Sequence, residues 1–171
     1  MRVHTKTIAV TLMLTAAGWF AGCNQHIDEE PNVVLEIDTM QVPPISGTRD
    51  ATTGVCILTI TNATVSFKNK PKNSLAGTSP FNDIILQDLL VNYVWDDGNG
   101  VASSQFGIGG TVPANGSSSA LFPLIKGQDL ILPVSREGHT ASLSLLFRGT
   151  TVAGESVSAT TGGTLVVNPC Q

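Results

Sequence analysis

The chain has 171 residues, of which 42% are hydrophobic and only 13% charged, about half the ~25% usual for a soluble domain. Nine basic residues against thirteen acidic ones give a formal net charge of −4. High hydrophobicity with little charge excludes an intrinsically disordered chain, and the acidic balance argues against nucleic acid as a partner.

In chain order, the first feature is Arg2 and Lys6 followed by a 13-residue apolar run, Ile8 to Phe20. A helix needs about 20 such residues to span a bilayer, so the run is too short to be a membrane helix and has the size of a signal-peptide core. A buried N-terminal helix is the competing reading. Phe20-Ala21-Gly22-Cys23 comes next. This stretch resembles the bacterial lipoprotein signal, in which small residues precede a cysteine that receives diacylglycerol before cleavage and N-acylation. Phe20 stands where that signal usually has Leu. The resemblance implies a signal peptide over 1–22, lipidation of Cys23 and a membrane-attached mature chain. Ordinary secretion, with cleavage after Ala17 or Gly22, is the alternative.

Cysteine arithmetic discriminates between them. Lipidation uses Cys23 and leaves Cys56 and Cys170 as one pair, whereas ordinary secretion strands a thiol. The mature chain of 149 residues has seven basic and thirteen acidic residues, a net charge of −6. Its membrane contact is then expected through acyl chains rather than through charge. Residues 23–32 read as a polar tether carrying Asp28, Glu29 and Glu30. Acidic residues so placed also look like the surface-export signal of some Bacteroidetes lipoproteins. Under the sorting rule of enteric bacteria, the absence of Asp at position 24 implies the outer membrane.

From Val33 the signals are strands. "VVLEIDTMQV" stops at Pro43-Pro44. "VCILTITNATVSF", Val55 to Phe67, changes the phase of its alternation: Cys56, Leu58 and Ile60 are even, while Ala63, Val65 and Phe67 are odd. A bulge or bend near Thr61-Asn62 would reconcile the two halves. Ser79-Pro80 offers the one serious helix start. "IILQDLLVNYVW", Ile84 to Trp95, ends in the turn signal Asp96-Asp97-Gly98. Weaker strands lie near 105–111 and 119–125, where Pro123 suits an edge. In "ASLSLLF", Ala141, Leu143, Leu145 and Phe147 face one way. A last strand from about Ser156 meets Gly162-Gly163, where a bulge or a close approach is expected.

About seven strands with turns between them and no convincing long helix predict an all-β fold, a single antiparallel sandwich over residues 33–171. The pattern looks like the immunoglobulin or fibronectin type III-like domains of bacterial extracytoplasmic proteins, which implies a fold and no activity. In such a sandwich Cys56 and Cys170 lie at one end, opposite the end where the chain enters. A bridge between them would close about 115 residues and contribute about 4–5 kcal/mol.

Catalytic and metal signatures are weak. His26 and His139 have no metal-like spacing, and G-x-S-x-G and S-x-x-K are absent. Gly107-Ile108-Gly109-Gly110 lacks the lysine and helix of a phosphate loop. Asp96, Asp97 and Asn99 are better explained by a turn than by calcium. Asp83 with Asp88, or Glu36 with Asp38, is the nearest thing to a carboxylate pair, but solvated strand faces explain them. Lys68, Lys70 and Lys72 share one parity; the stripe reads as the gatekeeper of an edge strand, or as a docking patch. Tyr93 and Trp95 share a face and read as core aromatics or as a sugar platform. The chain is therefore expected to be a non-enzymatic, lipid-anchored envelope protein without cofactor or metal. It would bind a protein partner or play a structural role; the alternative is a glycan- or small-ligand-binding module using Tyr93, Trp95 and nearby loops.

Overall fold

The computed structural model describes residues 31–59, 61–73, 79–98, 101–124, 131–132 and 137–171, and Pro31–Gln171 is one compact unit. The lipidation candidate Cys23, His26 and the tether up to residue 30 lie outside the described residues.

The fold is an all-β, antiparallel sandwich. One layer is a sheet of three strands in the order β1 (Val33–Gln41), β4 (Asn62–Pro71), β8 (Ser117–Pro123). The other layer orders β11 (Ser156–Val166), β10 (Thr140–Thr151), β5 (Ile84–Trp95) and β6 (Val101–Gly107), with β7 (Thr111–Val112) pairing the start of β5. A small third sheet, β2 (Gly47–Arg49), β3 (Cys56–Leu58) and β9 (Ile131–Leu132), closes one end. Seven of these strands have seven or more residues, which answers the sequence-based expectation; the other four are too short to produce visible periodicity.

Alternation builds the core. Ala63, Val65 and Phe67 of β4 and Phe122 of β8 are buried, as are Ala141, Leu143, Leu145 and Phe147 of β10. Phe147 joins the layers: its ring packs edge-to-face on Phe67 at 5.0 Å and on Phe122 at 5.7 Å. This is the geometry that aromatic quadrupoles favour.

Four expectations are corrected or narrowed. The phase change within Val55–Phe67 is not a bulge: β3 ends at Leu58 in the small sheet, and β4 begins at Asn62 in the three-stranded one. Among the described residues, Cys56 and Leu58 before the break and Ala63, Val65 and Phe67 after it are buried, as alternation picks them. The extra residues fall elsewhere, at Asp38 in β1 and at Gln87 in β5, where the register slips. The slip in β5 switches its buried set from Ile84 and Leu86 to Leu89, Val91 and Tyr93. Gly149 lies opposite that slip; a Cβ there would sit 2.6 Å from the Ile85 carbonyl oxygen, so the β10 backbone approaches β5 too closely for a side chain.

The helix expected from Ser79 is a single 3-10 turn, Pro80–Asn82, with the Ser79 hydroxyl accepting from the Phe81 N–H. β11 runs through Gly162-Gly163 without a bulge; the close-approach reading is the right one, because a Cβ on Gly163 would meet Met40 Cε at 2.6 Å. Last, β4 is the middle strand of its sheet rather than an edge. Its lysines need no gatekeeping role, because β1 beside them supplies carboxylates. Lys68 Nζ lies 2.5 Å from Asp38, and Lys70 pairs with Glu36. The Asp38 hydrogen bond, with smaller contributions from nearby carboxylates, raises the Lys68 pKa. β8, which carries Pro123, is an edge as expected.

Candidate functional site

The chain enters the sandwich at one end, where the Asn32 N–H donates to the Glu155 carboxylate in the β10–β11 turn. The opposite end is closed by the Cys56–Cys170 disulfide, with Cα atoms 5.9 Å apart. Both cysteines are where the expected pairing requires them. The C-terminal residues reach the bridge by running parallel to the segment from Ile45. Ile45 N–H donates to Val166 O at 2.8 Å, Asn168 N–H to Ile45 O at 2.9 Å, and Arg49 N–H to Gln171 O at 2.8 Å. The bridge passes over Gly47. A Cβ at Gly47 would lie 2.8 Å from the Cys170 sulfur, 3.0 Å from the Cys56 sulfur and 2.6 Å from the Ile57 carbonyl oxygen. Glycine is the residue that leaves room for the staple.

Three polar clusters fix the turns around it. The Arg49 guanidinium donates to both Glu137 oxygens at 2.7 Å and to the Gly54 carbonyl at 2.8 Å, while Glu137 also accepts from the Cys170 N–H at 3.2 Å. One charged pair thus ties the 50–54 turn, the 137–139 turn and the C-terminal tail together. Asp50 shapes its own turn by accepting from the N–H groups of Thr53 and Thr52, which hold its pKa below the ordinary carboxylate value. Asp96 accepts from the Thr140 N–H at 2.9 Å and lies 2.7 Å from His139 Nδ1. The Thr140 N–H, then His139, lower the Asp96 pKa to about 2. Beside the bridge lies a cleft of about 510 Å³ lined by Ser46, Thr48, Thr59, Asn168 and Gln171 around Gly47 and Cys170. Hydroxyls and amides share its lining with Pro169, which suits a neutral ligand with both apolar and hydrogen-bonding groups.

The sulfurs of Cys56 and Cys170 and a Glu137 oxygen lie within 4.8 Å of one another. With the sulfurs bonded to each other, and Glu137 held by Arg49, this cluster offers a metal no thiolate.

The other candidate residues do not assemble into a site. Tyr93 is 6% exposed and its hydroxyl donates to the Leu124 carbonyl, so it has no ring face for a sugar. Trp95 is half-buried and packs against the core. The core reading of this pair therefore fits the geometry. Lys68 and Lys70 sit in their ion pairs on the outer face of β4, and the Lys72 N–H donates to Asn32 O near the chain's point of entrance. Asp83 and Asp88 have separate partners, the Ala114 N–H and Arg148. Sequence reasoning missed Gly47, Glu137 and the pairing of Arg49 with Glu137. Arg49 and Glu137 are 88 positions apart, and no periodicity links them.

No protein-family model and no curated protein matches the chain. Among solved structures it is similar to a candidate late embryogenesis abundant (LEA) protein studied in solution, at 16% identity and TM-score 0.46, over 95% of this chain and 85% of that one. It is also similar to the sporulation control protein Spo0M of Bacillus subtilis, at 14% identity and TM-score 0.40, over 79% of this chain and 49% of that one. Neither contributes to the functional reading.

Proposed function

We propose that the chain is a lipoprotein of the bacterial cell envelope, processed at Cys23 and tethered by its acyl chains, most simply to the outer membrane. In this reading an immunoglobulin-like sandwich plays a non-catalytic role: adhesion, envelope scaffolding or service as an accessory subunit of a surface assembly. The supporting observation is the polarity of the domain. Asn32 enters beside Glu155 at one end, and the stapled turns lie at the other. A lipid at Cys23 would therefore point the Arg49–Glu137 turns and the polar cleft away from the bilayer. The Cys56–Cys170 bridge suits an oxidising compartment. Partner recognition would rest on turns held by hydrogen bonds, an arrangement that loses little entropy on binding.

The test is fractionation of cells making the wild type or Cys23→Ser. Wild type should pellet with membranes and dissolve only in detergent, while Cys23→Ser should be soluble or unprocessed. Membrane attachment that survives the substitution with normal processing would refute the anchor. A second reading, a small-ligand module, is favoured by the cleft around Gly47 rather than by Tyr93 and Trp95. Chemical-shift changes at Ser46, Thr48 and Asn168 on adding a neutral glycan would support it.

A further inference from the structure

The two ends of the sandwich differ in chemistry. The bridged end displays Asp50, Asp96, Asp97 and His139 on its turns. The end where the chain enters displays Pro80, Phe81, Pro113, Val152 and Ala153, all exposed. Phe81 is 65% exposed and Val152 49%. These apolar tips form one assembly held through Asp83. Its carboxylate accepts from the Ala114 N–H at 2.7 Å, and its carbonyl accepts from the Val152 N–H at 2.9 Å. The Ala153 N–H donates to the Phe81 carbonyl at 3.0 Å, which binds the β10–β11 turn directly to the 3-10 turn. The acidic groups here are already engaged: Asp83 with Ala114, and Glu155 with the N–H of Asn32. Lys72, whose N–H donates to Asn32 O, adds a positive charge beside them.

From this we infer that the Phe81–Val152 end is a membrane-docking surface, seated on the bilayer that holds the lipid at Cys23. The inference rests on the anchor reading and adds to it: the protein meets lipid through its own side chains as well as its acyl chains. Chain length makes this the natural occupant. Only eight steps separate Cys23 from Pro31, and at ~3.6 Å each they span at most about 29 Å. Asn32, among the first described residues, lies at the apolar end beside Glu155, so a tether of that length delivers that end to the membrane. An exposed Phe set among Pro, Val and Ala on loop tips gains by entering the interfacial region, where amphipathic surfaces seat to a depth of about 5–10 Å. The outward-facing charges of the other end stay in water.

The experiment uses the processed, lipidated full chain reconstituted in phosphatidylcholine–phosphatidylglycerol vesicles. A polarity-sensitive fluorophore is placed on an added cysteine, Val152→Cys or, at the far end, Thr52→Cys. With nitroxide-bearing lipid, the Val152 label should be quenched about twofold more than the Thr52 label, as expected for a group at interfacial depth. Aqueous iodide should show the reverse. Adding Phe81→Ser should return the Val152 label to the solvent-exposed value while the protein still floats with vesicles.

Equal lipid quenching at both positions in floating protein would overturn the docking surface and leave the anchor intact. Failure to float would overturn both. Shielding of the Val152 label in the soluble Cys23→Ser protein without vesicles would assign the tips to self-association and overturn the lipid occupant.

Discussion

Replacing both Cys56 and Cys170 with alanine should lower the stability of the domain by about 4.8 kcal/mol or more. The two positions are separated by 114 in sequence. Closing a loop of that length removes about 16 cal/mol/K from the unfolded chain, or about 4.8 kcal/mol at 25 °C. Against a domain total of about 5–15 kcal/mol this is a third or more. Cys56 is fully buried, so its alanine adds a cavity cost to this entropic figure, whereas Cys170 is only partly buried. For the compact unit Pro31–Gln171, an unfolding entropy of about 2.1 cal/mol/K per residue amounts to about 0.3 kcal/mol/K, so Tm should fall by about 16 °C or more. Equilibrium denaturation in guanidinium measures the loss. The m-value should rise, because the uncrosslinked chain exposes more surface when unfolded. Reductant should move the wild type toward the position of the variant and leave the variant unmoved. A difference below about 1 kcal/mol, or a wild type indifferent to reductant, would refute the reasoning that the long loop is what the bridge restrains.

Phe147→Ala should cost about 3–5 kcal/mol, because it removes the ring that contacts both Phe67 and Phe122 across the layers; chemical denaturation checks it. Gly47→Ala should destabilise by about 1–3 kcal/mol through overpacking. It should also slow closure of the bridge, read as free thiol by alkylation under non-reducing conditions, since its Cβ would fall 2.8 Å from the Cys170 sulfur. Acid should weaken the fold partly through Asp96. Its folded pKa, about 2, lies below the ordinary 3.8, so its contribution is present above about pH 4 and lost as pH falls toward 2. Asp96→Asn should therefore be less stable than wild type at pH 6, with a flatter decline below pH 4; equal declines would show that Asp96 contributes nothing to acid sensitivity.

Much of this fold is legible in the residues. Alternation in Ala141–Phe147 marks the inward face of β10, and the turn residues after Trp95 mark the end of β5. Alternation reports which way a side chain points, however, and says nothing about what interrupts it. The same one-residue phase change is a break between sheets after Leu58 and a slip within one strand at Gln87. Only pairing with a neighbour separates those cases. Lys68 and Lys70 illustrate the same limit: their parity is visible, but the carboxylates opposite them belong to β1, some thirty positions earlier. Tyr93 and Trp95 are two residues apart with the same parity. Tyr93 is buried with its hydroxyl on the Leu124 carbonyl, whereas Trp95, the last residue of β5, is half-buried. The stapled end was legible in its two cysteines because the cysteine count left one pair. Its glycine and its arginine–glutamate pair were not, because turns carry no period.

The most direct test of the account is the intact mass of the protein extracted by detergent from its own membranes. The account predicts a chain beginning at Cys23, carrying diacylglycerol and an N-acyl group, two hydrogens lighter than the reduced form for the Cys56–Cys170 bridge. A chain beginning at any other residue, or an unmodified Cys23 in the mature protein, would contradict it.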